Sequence, residues 1–175
     1  MIPGILVSLV TFPGVIVHEL AHQLFCRLFK IPVFEVCYFR MKNPVGYVIH
    51  EIPPKHYQSI LISIGPFIIN SILAILIAFP ASMQTKLDST NPFDWILIYL
   101  GVSIGAHAFP STGDAQSLWN YATKSKSSSL LTKIVAAPFV GFIYLGALGS
   151  YLWLDILYGA FLSLGLPWIL LKYFA

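Results

Sequence analysis

The chain has 175 residues, of which 57% are hydrophobic and only 10% charged, with a net charge of +3. Its mean hydropathy of +0.79 excludes an ordinary soluble domain, where about a quarter of residues carry charge. The length leaves space for one membrane-embedded domain, residues 1-175, without a separate globular unit, and the small positive charge asks for no nucleic-acid partner.

Apolar stretches occur near residues 3-28, 59-80, 95-113, 134-153 and 156-172, each close to the ~20 residues that a spanning helix requires. They predict an all-α polytopic membrane protein with about five transmembrane helices. The first stretch contains His18-Glu19-Leu20-Ala21-His22. Four residues apart on a helix, His18 and His22 can present imidazole nitrogens to one metal, with Glu19 beside them as a base. Two satisfied core histidines are the plainer reading, but ionisable groups inside a membrane are costly and usually functional. Upstream, Pro13-Gly14 should interrupt the helix, either as a packing kink or to admit water.

Between the first two stretches, Val33 to Ile52 is rich in Val, Tyr and Phe around Lys42-Asn43-Pro44-Val45-Gly46, which predicts a small hairpin or sheet. Lys124 to Ser129 reads as a solvated linker. Basic residues concentrate in the first and third loops and at the C-terminus: Arg27, Lys30, Arg40, Lys42, Lys55, Lys124, Lys126, Lys133 and Lys172, against Lys86 elsewhere. The positive-inside rule then sets the N-terminus outside and the C-terminus and hairpin in the cytosol of a multi-pass cell-membrane protein. His22 and His18 precede Arg27 by five and nine residues, or roughly 8 to 14 Å, so the motif lies within the cytosolic half of the bilayer. A cleaved signal peptide is not expected, since the first apolar run has no basic flank and carries the motif.

Zinc in a catalytic site needs a third protein ligand and an open position. Cys26 lies about 12 Å along the helix from His18, too far for a shared ion. His50, Glu51 and His56 fall in the hairpin region, where exposure is the default. Asp114 is the favoured ligand, because Pro110 and Gly113 can unwind the third apolar stretch and turn a carboxylate inward, with Trp95 and Trp119 as interface anchors of that span. Asp114 as a loop residue capping the next helix is the alternative. Cys26 and Cys37 do not form a CxxC pair, and both lie on the reducing side of this topology. Gly141, Gly146, Gly149 and Ser150 suit close helix packing, and Asp155 reads as a helix cap.

Over residues 5 to 121 the chain resembles the site-2 protease family of intramembrane zinc metalloproteases. In that family a HExxH helix is followed by a β-rich cytosolic segment, a returning helix, and a helix bearing Asn-x-x-Pro-x-x-x-x-Asp-Gly, whose Asp is the third ligand. Gly46-Tyr47-Val48 resembles the family's glycine-containing sheet segment, and Gly65-Pro66 with Asn70 its Gly-Pro-x-x-Asn element, with three residues rather than two between Pro66 and Asn70. Three further differences stand out: His107 occupies the place of the family's Asn, the interval from Pro110 to Asp114 is one residue shorter, and Ala115 replaces the Gly. The resemblance implies one Zn²⁺ per chain held by His18, His22 and Asp114, with Glu19 as general base. His107 or Asn70 would stabilise an oxyanion or position substrate, His107 being also a ligand or a packing residue. Gly46, Tyr47 and Val48 would hold an extended segment of a transmembrane or membrane-associated protein substrate. The helices at 134-172 lie outside the family core and would enclose it. A catalytically silent zinc-binding relative and a metal transporter are the two other readings, and catalysis is favoured because transport needs no glutamate beside the first histidine.

Overall fold

The computed structural model describes residues 4–87, 89, 91–125 and 128–174; Lys126 and Ser127 of the predicted linker lie outside the described residues. The fold is mostly helical, with one two-stranded antiparallel sheet. Among the described residues, three helices are long and apolar enough to cross a membrane, over His56–Thr85, Leu130–Ser150 and Leu154–Tyr173.

The first apolar stretch forms two helices, α1 (Gly4–Val10) and α2 (Phe12–Leu28). The break falls at Thr11, slightly before the Pro13-Gly14 expected from sequence. Pro13 sits in the first turn of α2, where its missing N–H has no intrahelical partner to lose. The Thr11 hydroxyl donates to the Val7 carbonyl at 2.7 Å, closing the end of α1. α2 ends with Lys30 at φ 57° and the Ile31 N–H on the Cys26 carbonyl at 2.8 Å, the left-handed turn that satisfies terminal carbonyls.

That turn feeds β1 (Val33–Cys37), which pairs antiparallel with β2 (Tyr47–His50) through Val36 opposite Val48 and Cys37 opposite Tyr47, with a bulge near Val33 and Glu35. Among the described residues β2 pairs only with β1, so its second edge is unpaired. The connecting loop is tied back on itself. The Arg40 N–H donates to the Val45 carbonyl at 2.7 Å and its Nε to the Pro44 carbonyl at 2.8 Å, while the guanidinium lies 4.7 Å over the Tyr47 ring.

α3 (His56–Lys86) is the central post, packed against α2, α4, α5 and the last helix. Gly65 permits this closeness: a Cβ there would stand 2.3 Å from the Phe25 ring. α4 (Pro92–Ala106) is capped by the reciprocal Asn91 and Asp94 bonds. Its close approach to α3 and the last helix uses small residues, since a Cβ at Gly101 would meet Ala78 at 2.6 Å and one at Gly105 would meet Gly159 at 2.7 Å.

The third apolar stretch is not one helix to residue 113. α4 stops at Ala106, and Ser111 starts a new helix, α5 (Thr112–Lys124), so Trp95 and Trp119 stand on separate helices. Pro110 and the Ser111 cap account for the break. α6 (Leu130–Ser150) follows, with Gly146 accepting the Phe109 ring where a Cβ would stand 2.6 Å away. The chain closes with α7 (Leu154–Ala160), a π-helical turn over Phe161–Gly165 and α8 (Leu166–Phe174) in unbroken succession. Asp155 accepts from the Ile156 N–H at 2.8 Å in the first turn of α7.

Candidate metal centre

α2 turns His18, Glu19 and His22 inward, and all three are more than nine-tenths buried. The two imidazoles are held by backbone carbonyls. His18 Nδ1 lies 2.7 Å from the His107 carbonyl and His22 Nδ1 lies 2.9 Å from the Ile62 carbonyl. A carbonyl only accepts, so each Nδ1 carries a proton, and in a neutral ring the Nε2 then presents a lone pair. Those two Nε2 atoms face one another at 3.2 Å. Two neutral rings would set lone pair against lone pair at that distance, and a cation held between them, a metal ion or a proton, relieves the repulsion.

Asp114 supplies the third atom, its Oδ1 lying 3.3 Å from His22 Nε2. Its other oxygen, Oδ2, accepts from the Ser111 N–H and hydroxyl, each at 2.7 Å. The two sequence readings of this residue therefore coexist: one carboxylate oxygen caps α5, and the other faces the histidines. The three ligand atoms lie within 4.8 Å of one another, and they form the His/Cys/Asp/Glu group suited to an ion among the described residues. A tetrahedral zinc with bonds of about 2.0 to 2.1 Å separates its ligands by about 3.3 Å. The 3.2 and 3.3 Å spacings match that value, and two imidazoles with one carboxylate are a zinc-type donor set with backbone partners already fixing the ligand rings.

These groups open into a cavity of about 1000 Å³. His18, Glu19, His22 and Asp114 line it together with residues 46–50 of the hairpin. Gly46 touches Glu19 so closely that a Cβ would stand 2.7 Å from Glu19 Cγ and 2.8 Å from Oε1. The unpaired edge of β2, including Tyr47 and Val48, thus runs beside the candidate base. The Tyr47 phenol donates to Glu35 on β1, and this bond holds its pKa above the ordinary value.

Comparison of the chain with protein-family models, with curated proteins and with solved structures finds no match. The geometry carries the functional argument by itself.

His107 is the C-cap of α4. Its ring lines the cavity, with Nε2 2.7 Å from the Thr11 hydroxyl, and its backbone carbonyl receives His18. Asn70 is fully buried, and its amide nitrogen points at the carbonyls of Gly14, Ile104 and His107 at 3.3, 3.1 and 3.1 Å. Its donors are therefore spent on backbone oxygens and do not face the cavity. Sequence reasoning missed Ser103, which is fully buried between α2 and α4. It accepts from the Gly14 N–H at 3.0 Å and donates to the Thr11 carbonyl at 2.9 Å. Ser111 was also missed, though the pattern Ser111-Thr112-Gly113-Asp114 is a legible capping box.

Proposed function

We propose that this chain is an intramembrane zinc endopeptidase acting on membrane-protein substrates, similar in plan to the site-2 proteases. The observation that carries the reading is the meeting of two imidazole Nε2 atoms and one carboxylate oxygen beside a buried glutamate. In this reading α2 and α4 complete five membrane crossings, with the N-terminus outside and the hairpin and C-terminus in the cytosol, as the distribution of basic residues supports.

Zinc held by His18, His22 and Asp114 would supply Lewis acidity, acidifying water and polarising a carbonyl oxygen. Glu19 takes the proton of the attacking water on its carboxylate. As the water oxygen bonds to the scissile carbon and the C–N bond breaks, Glu19 returns that proton to the leaving amine. A helical substrate hides its carbonyls in its own hydrogen bonds, so it must unwind before cleavage. The free edge of β2 offers such a segment backbone N–H and C=O partners within reach of Glu19. Tyr47→Pro or Val48→Pro should then abolish cleavage and spare zinc.

The test is zinc per chain in detergent-purified protein and in Asp114→Ala, each checked for folding by circular dichroism. Near-stoichiometric zinc that falls in the variant, followed by peptide hydrolysis lost in Glu19→Gln, supports the reading. Zinc absent after repletion overturns it. Bound zinc without hydrolysis favours a silent relative, and zinc flux into vesicles favours a carrier.

A further inference from the structure

α4 ends inside the protein, and local backbone bonds satisfy its end only in part: the His107 N–H reaches the Ile104 carbonyl at 3.2 Å and the Ala108 N–H the Gly105 carbonyl at 3.1 Å, and neither serves the His107 carbonyl. The last carbonyls of a helix have no intrahelical partner, and an unpaired carbonyl away from water is costly. Here the carbonyls of Ile104 and His107 converge with that of Gly14, at the start of α2, on one side chain from a third helix. That side chain is Asn70, on α3 and fully buried. Its two N–H bonds are shared among three oxygens, while its own Oδ1 finds no partner. Asparagine is thus needed here for its donors, at the expense of leaving an acceptor unsatisfied.

One of those three oxygens has a second duty. The His107 carbonyl also receives His18 Nδ1, which keeps the proton off His18 Nε2. The contacts form a chain from α3 through the end of α4 to α2: the Asn70 amide, the His107 carbonyl, the His18 ring, and then His18 Nε2 facing His22. Partners of this kind fix the tautomer and angle of a ligating imidazole, and losing one typically costs 10- to 100-fold in metal affinity.

We propose that Asn70 is a positioning residue for the metal centre, holding the His107 carbonyl where it fixes the tautomer and aim of His18. This assigns Asn70 a role distinct from substrate or oxyanion binding, and it rests on the zinc reading of His18, His22 and Asp114. Asn70→Asp keeps the shape but turns oxygens toward three carbonyl oxygens, and Asn70→Ala removes the donors altogether. Ser103→Ala serves as the control, because it breaks buried contacts between α2 and α4 at Gly14 and Thr11 without touching His107.

The experiment measures zinc affinity by chelator competition, the visible spectrum of the Co²⁺-substituted protein, and the ¹⁵N signals of the His18 ring in metal-free protein. The expected result is an Nδ1–H tautomer of His18 in the wild type, lost in both Asn70 variants together with a 10- to 100-fold rise in the zinc Kd and an altered Co²⁺ spectrum. Ser103→Ala should lower the melting temperature and leave Kd and tautomer at wild-type values. Wild-type affinity in either folded Asn70 variant overturns the proposal, as does an equal loss of zinc in Ser103→Ala. If neither Asn70 variant folds, the wild-type ring decides: a proton on His18 Nε2 overturns the proposal and one on Nδ1 supports it. A wild type that binds no zinc overturns the proposed function, whereas zinc bound equally by wild type and Asn70 variants overturns the positioning role alone.

Discussion

Replacing Gly46 by alanine tests how closely the hairpin governs the candidate base. The added Cβ would stand 2.7 Å from Glu19 Cγ and 2.8 Å from Oε1, whereas carbon atoms in ordinary contact sit about 3.5 to 4.0 Å apart. Some group must move by about 1 Å. The atoms met belong to the Glu19 side chain, which has rotatable bonds, so the fold gives way there at small cost to stability. The carboxylate is then misplaced by a similar distance, and a misplacement of about 1 Å can cost 10²-fold in rate. We expect about a 100-fold lower turnover of a quenched-fluorescence apolar peptide in micelles, with zinc content and melting temperature close to wild type. Gly113→Ala is the control: it borders the same cavity, but its Cβ would meet only the Ser111 hydroxyl, at 3.3 Å. Wild-type turnover in Gly46→Ala, with a folded hairpin, would refute the placement of Glu19 as base.

Glu19→Gln removes the proton acceptor and should lower turnover by roughly 10²- to 10⁴-fold, while zinc measured by atomic absorption stays bound. Asp114→Asn retains an oxygen that can accept from the Ser111 N–H and hydroxyl but loses the charge facing His22. Zinc affinity should fall and α5 should persist by circular dichroism. Ser111→Ala instead removes a cap worth about 1 kcal/mol, so thermal unfolding should register the loss. Gly14→Ala places a Cβ 2.0 Å from the Ser103 carbonyl oxygen and 2.7 Å from the His107 ring. Backbone cannot yield there as a side chain does, so α2 must shift; we expect about 1 to 3 kcal/mol of destabilisation and weakened zinc binding, read by unfolding and by chelator competition.

The spacing of His18 and His22 was legible because a helix repeats its face every four residues, whatever surrounds it. Asp114 was legible as a chemical type in a Pro- and Gly-bearing segment. The end of α4 was not, because hydropathy over residues 95-113 is continuous and does not register a helix break; the break is written in Pro110 and in the spacing of Ser111 and Asp114. The division of the first stretch at Thr11 was obscured in the same way. Three of the described helices meet the length and apolarity of a membrane span, fewer than the apolar stretches, because α4 is 15 residues long and the first stretch is split. Asn70 was legible as a candidate but its partners were not, since they are carbonyl oxygens 34 to 56 positions away in the chain and backbone oxygens leave no mark in a sequence.

The division of Asp114 between α5 and His22 has a thermodynamic consequence. α5 packs on α3 and α6, and its Asp114 carboxylate reaches His22 of α2 at 3.3 Å. The proposed zinc, bound there, would join segments of chain that the unfolded protein leaves far apart, and would so enter the folding equilibrium as well as the proposed chemistry. By mass action each tenfold rise of free zinc above its Kd adds about 1.4 kcal/mol to the stability of the folded state. On the proposed reading, a cell compartment that withholds zinc would therefore weaken the fold of this protein as well as its chemistry.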